Sequence, residues 1–107
     1  MASKYIPDRN DIVWLDFEWQ ALVLSSKIYN IKTGLLICSP ISTSSRGGAT
    51  EVPLGNLDKP SVVAASIIQT VAWENRKVKY ITSAEPSVIE EVLMRIIPLI
   101  GAEALLG

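Results

Sequence analysis

The chain has 107 residues, enough for one modest hydrophobic core and too few for two, so a single domain spanning residues 1–107 is expected. Apolar residues make up 49% and charged residues 20%, a balance that excludes a disordered chain because enough apolar area can be buried to oppose chain entropy. The net charge of −1 excludes an overall electrostatic pull toward nucleic acid, and the absence of histidine excludes a serine triad with its usual base, the common zinc sites and paired-histidine ribonuclease chemistry.

The start, MASKYIPDRND, is polar and does not read as a signal peptide. Asp11 to Phe17 alternates around Ile12, Trp14 and Leu15 and reads as a strand with Trp14 in the core, and Ala21 to Ser25 reads as a second strand. That leaves Glu18, Trp19 and Gln20 as a three-residue hairpin connection, with Trp19 exposed, although it lacks the Gly or Asn that such turns use. Asn30 to Gly34 reads as a polar turn. Leu35 to Ile41 is a continuous apolar run, as expected of a central strand, and gives way to Ser42, Thr43, Ser44, Ser45, Arg46 and Gly47-Gly48. Cys38 in that run fits a buried, reduced thiol and hence a cytoplasmic protein.

Thr50 to Leu54, interrupted by Pro53, suits an edge strand, and Leu57 to Pro60 a loop. Ser61 to Val71 is rich in Val, Ile and Thr and reads as two strands or one long bulged strand, Trp73 to Arg76 as a short helical turn, and Val78 to Thr82 as a further strand. From Pro86 the period changes. Val88, Ile89, Val92, Leu93, Ile96 and Ile97 form an apolar stripe opposite Ser87, Glu90, Glu91 and Arg95, which predicts an amphipathic helix. Pro86 suits the first helical position, Ser87-Val-Ile-Glu90 has capping-box spacing, and Pro98 is expected to stop or kink the helix before Leu99. The elements sum to a mainly β (α+β) fold, a small barrel-like sheet with a helix packed on it. No apolar run reaches membrane-spanning length, and the mean hydropathy of +0.30 leaves apolar surface beyond one core, which points to a dimer.

Chemistry-bearing residues are few. Ser42 to Ser45 form either a polar lip for phosphate oxygens or simply a loop, and Arg46 beside two glycines is either a phosphate contact or a solvated charge. Arg76, Lys77 and Lys79, with Trp73 and Tyr80 nearby, make the densest basic run, able to bind a strand by charge and stacking or to serve as a solvent-facing edge. Asp16 and Glu18 read as a solvated face.

Several blocks, in order, carry a resemblance. Tyr5-Ile-Pro-Asp-Arg-Asn-Asp-Ile-Val-Trp-Leu-Asp-Phe17, Ala21-Leu-Val-Leu-Ser25, Tyr29-Asn-Ile-Lys-Thr-Gly34, Cys38-Ser-Pro-Ile-Ser-Thr43, Arg46-Gly47, Glu51-Val52, Ser61-Val-Val-Ala64, Val71-Ala-Trp73 and Ile97-Pro-Leu-Ile-Gly101 resemble the MazF/PemK toxins over almost the whole chain. The resemblance implies an SH3-like small β-barrel with a C-terminal amphipathic helix, a symmetric homodimer, a cognate antitoxin and a metal-independent, cofactor-free endoribonuclease cutting single-stranded RNA at short motifs. In that family the 2′-hydroxyl beside the scissile phosphate attacks it, while an arginine and a threonine manage the proton and the phosphorane charge. The threonine position falls on Ser42, which keeps the hydroxyl. The loop ahead of Ala21 is shorter by about ten residues, and Trp19 and Gln20 stand where the arginine would be. The resemblance therefore implies Ser42 as catalytic donor, Thr43, Arg46, Trp19, Gln20, Arg76 and Lys77 as RNA-binding residues, and Arg46 or Arg76 as substitute cation. A catalytically inactive dimeric binding module of the same fold, or a loop-shortened variant, is the alternative; the gyrase-poisoning toxins of similar architecture rank last.

Overall fold

The computed structural model describes residues 4–45 and 47–106. Among these, seven strands, β1 (Asp11–Leu15), β2 (Trp19–Val23), β3 (Leu36–Ser42), β4 (Glu51–Leu54), β5 (Ser61–Ala64), β6 (Gln69–Val71) and β7 (Val78–Ser83), form one antiparallel sheet. Its order is β4-β5-β3-β2-β1-β7, with β6 also on β3. Helices α1 (Lys27–Thr33), α2 (Pro86–Leu99) and α3 (Glu103–Leu106) complete the fold, and Trp73–Asn75 makes a 3₁₀ turn.

Strands β1 and β2 are buried on both faces, which is why they read as nearly continuous apolar runs. Ile12, Leu22 and Leu24 join Val52, Leu54, Val63 and the Val88, Val92 and Ile96 face of α2 in one core. Val13, Leu15, Ala21 and Val23 join Leu36, Cys38, Val71 and Trp73 in a second. The edge strands meet where Asn56 Nδ2, in the β4–β5 loop, donates to the Ser83 carbonyl of β7 at 2.8 Å. That contact ties the loop at one edge of the sheet order to the strand at the other.

β3 carries a proline in mid-sheet without breaking the ladder. Leu36, Ile37 and Cys38 pair with β6, whereas Ile41 and Ser42 pair with β5. Pro40 falls in the gap between these partners, where its missing N–H forfeits no bond on that side.

Four local readings are corrected. The first hairpin turns at Asp16, Phe17 and Glu18, not at Glu18, Trp19 and Gln20, because Leu15 pairs with Trp19 and Trp14 with Gln20. Asp16 and Phe17 take positive φ of 54° and 58°, and the Glu18 amide donates to the Leu15 carbonyl at 3.0 Å. This is the left-handed turn that matches strand twist, built without glycine. Second, the segment read as a polar turn is helix α1, opened by Ser26, whose hydroxyl accepts the Tyr29 amide, and closed by Gly34 at φ 69°. Third, α2 begins at Pro86 with Glu85 at its N-cap and no side-chain cap, so Ser87 lies inside the first turn and forms no capping box. Fourth, α2 runs through Pro98 to Leu99, one residue beyond the expected stop. A proline in the final turn sacrifices one hydrogen bond, and the chain leaves the helix at once through Gly101 at φ 72°.

Candidate functional site

Where the β1–β2 tip, the end of β3 and the β4–β5 loop converge, a cavity of about 810 Å³ opens to solvent. Trp14, Glu18, Trp19 and Gln20 come from the first hairpin, Ser42 and Thr43 from the end of β3, and Asn56, Asp58 and Lys59 from the loop. Alternation along β1 explains the composition. Ile12 sends its side chain into the core, and Trp14, two residues on, lies on the same face of the sheet, where the core gives way to the cavity. Trp14 is thus half-buried in the wall and not a core residue, contrary to the sequence expectation. Trp19 is half-buried too, with one side on the second core.

The hydroxyl of Ser42 accepts the Ser44 amide at 3.0 Å, a local turn that fixes the side chain at the lip. Beyond it, one Glu51 carboxylate oxygen accepts from the Ser45 hydroxyl at 2.9 Å and from the amides of Gly47 and Gly48 at 2.9 and 3.3 Å. Arg95 of α2 donates to the Ala49 carbonyl at 3.0 Å from the other side. The segment after β3 is therefore held by a carboxylate within it and a guanidinium behind it.

Of the residues singled out in the sequence, the structure brings Ser42, Thr43, Trp19 and Gln20 into this one cavity. Arg46 lies outside the described residues. Arg76 and Lys77 are not among the cavity-lining residues: Arg76 pairs with Asp16 at 3.2 Å, and the Lys77 amide donates to the other Asp16 oxygen at 3.1 Å. Asp16 is accordingly a tie between the hairpin tip and the start of β7, and not a merely solvated acid. Sequence reading missed Lys59, Asp58 and Asn56, because a short polar loop carries no periodicity and only its contacts show which side it faces. Glu18 is exposed, as expected, and lines the open cavity.

Chemically, the cavity offers hydroxyl donors, two indole faces, a primary ammonium and two carboxylates. Such a set can hold a phosphate flanked by bases and exchange a proton with a neighbouring hydroxyl.

Comparison with known proteins gives concordant results. Residues 8–100 match the family described as PemK-like, MazF-like toxin of type II toxin-antitoxin system. The endoribonuclease toxin MazF of Escherichia coli (strain K12) is 32% identical over 111 residues, covering 94% of this chain and all of the relative. The MazE-MazF structure (Form-I) from Deinococcus radiodurans superposes with a TM-score of 0.87 at 33% identity, over 92% of this chain and 99% of that one. MazF (Form-I) from the same organism gives a TM-score of 0.85 at 31% identity, again over 92% and 99%.

Proposed function

Because the chain belongs to the PemK-like, MazF-like toxin family of type II toxin-antitoxin systems, we propose that it is a metal-independent endoribonuclease toxin cutting single-stranded RNA at short sequence motifs. The observation that carries this reading is the convergence of Ser42, Trp14 and Trp19 on one cavity. Indole faces take unstacked bases, which favours single strands, while a hydroxyl at the lip meets phosphate oxygens.

In the proposed reaction the RNA 2′-hydroxyl attacks the adjacent phosphorus, the bond to the 5′-oxygen of the next nucleotide breaks, and negative charge builds on the phosphorane oxygens. Ser42 donates a hydrogen bond to one of those oxygens, an interaction that strengthens as the charge develops. With no histidine in the chain, the 2′-hydroxyl proton passes in this proposal to a carboxylate, and the two that line the cavity are Glu18 and Asp58. The departing 5′-oxygen, on the opposite side of the phosphorus, takes its proton from solvent, to which the cavity is open, and the carboxylate returns its own to solvent. Thr43 and Gln20 line the path of the strand.

The reading includes a homodimer, a restraining antitoxin and a cytoplasmic site of action. Exposed Ile28, Ile31, Met94, Leu99 and Ile100 supply apolar surface for protein contacts, and the similar Deinococcus radiodurans fold is solved as a MazE-MazF complex. No helix among the described residues is long and apolar enough to cross a membrane.

Primer extension on a long RNA, in chelator, tests the proposal. Discrete stops sharing a short motif are expected, with Ser42→Ala lowering the rate by about 100-fold, in line with loss of one transition-state donor. RNA left intact at high protein excess would instead leave the non-catalytic binding module standing.

A further inference from the structure

We infer that Lys59 is the cation that meets the RNA phosphate in this cavity, an inference that rests on the endoribonuclease reading above. Trp19 stands where the resemblance places an arginine, so the first hairpin supplies no positive charge to the lining. Among the described lining residues Lys59 is the only cation, and it faces a site that also contains the carboxylates of Glu18 and Asp58. A phosphate entering beside two carboxylates needs a compensating charge, and the need grows as the phosphorane forms.

The loop presents this lysine in a fixed way. Asn56 Nδ2 is bonded to the Ser83 carbonyl at 2.8 Å, Leu57 packs against the first core, and the Ser61 hydroxyl donates to the Lys59 carbonyl at 2.9 Å. Pro60 restricts the Lys59 backbone to extended conformations. The backbone is thus held at several points while the four-carbon stem retains the reach to follow a phosphate. The described arginines are engaged elsewhere: Arg76 with Asp16, Arg95 with Glu91 and the Ala49 carbonyl, and Arg9 with the Leu24 carbonyl.

The test compares Lys59→Gln, Lys59→Arg and Lys32→Gln, the last an exposed lysine on α1 outside the cavity lining. Two readouts are used: single-site RNA cleavage, and the salt dependence of binding to an uncleavable oligonucleotide with 2′-deoxyribose at the cut site. Lys59→Gln is expected to lower kcat/KM by about 100-fold and to reduce the slope of log affinity against log salt by about 0.7, the value for one phosphate contact on a single strand. Lys59→Arg should stay within about tenfold of the parent, and Lys32→Gln should match it. A Lys59→Gln protein that cuts and binds like the parent overturns the inference while the parent's cleavage upholds the nuclease reading. A parent that binds RNA without cutting overturns the nuclease reading, and the salt slope then decides whether Lys59 meets a phosphate. A parent that neither binds nor cuts overturns both.

Discussion

Cys38 is fully buried in the second core, and burial pushes its thiol from the usual 9.0 up to about 12. The native state therefore keeps a proton that the unfolded chain releases above about pH 9, so stability is full below that pH and declines as pH rises toward 12. Urea midpoints at pH 8 and pH 10.5 should differ less in Cys38→Val, which preserves volume without a titrating group, than in the parent. Ellman's reagent should leave the native thiol untouched and react in full in urea. Phe17 is the other informative position, an exposed aromatic at φ 58° in a turn that favours glycine. Relief of left-handed strain exceeds the added chain entropy, so Phe17→Gly should raise stability by about 0.5 kcal/mol, read as a higher denaturant midpoint.

At the scale of elements, helix α1 is fixed by one buried side chain. Asn30 Oδ1 accepts from the Ser25 hydroxyl at 2.5 Å, its Nδ2 donates to the Pro7 carbonyl at 2.7 Å, and its own carbonyl accepts Trp73 Nε1 at 3.0 Å. Removing the amide leaves buried groups unpaired, so Asn30→Ala should lower unfolding free energy by about 3 kcal/mol, seen as a fall in Tm. This asparagine also shows where sequence reading ran short. Strands β1, β3, β4 and β7 and helix α2 were legible because their patterns follow burial on one or two faces. Helix α1 was not, because Ile28 and Ile31 point to solvent and its ordering comes from a polar hub invisible to periodicity. The hairpin tip was misplaced for a related reason: Asp16 and Phe17 adopt left-handed backbone that their side chains disfavour, stabilised by the Asp16 contacts to Arg76 and Lys77. In the candidate site, Ser42, Thr43, Trp19 and Gln20 could be named from the family pattern, whereas Lys59 and Asp58 reach the cavity only through the folding of the β4–β5 loop, which no sequence pattern marks.

For the whole molecule, two cores sharing β1 and β2 leave little tolerance for change there, while the cavity at their end is bordered by loops and turns. The division suits a rigid sheet presenting a variable mouth. The exposed apolar side chains on α1, α2 and α3 lead to the expectation of a solution mass twice the 11.7 kDa of one chain, by light scattering at micromolar concentration. Placement of the RNA in this cavity is the claim on which the functional account turns, and the three tryptophans divide the molecule suitably for testing it. Trp14 and Trp19 line the cavity, whereas the Trp73 indole N–H is bonded to the Asn30 carbonyl in the second core. Titrating the protein with an uncleavable single-stranded RNA while following the indole N–H resonances by NMR should shift Trp14 and Trp19 and leave Trp73 in place. Saturable RNA binding that moves Trp73 alone, or none of the three, would contradict the account.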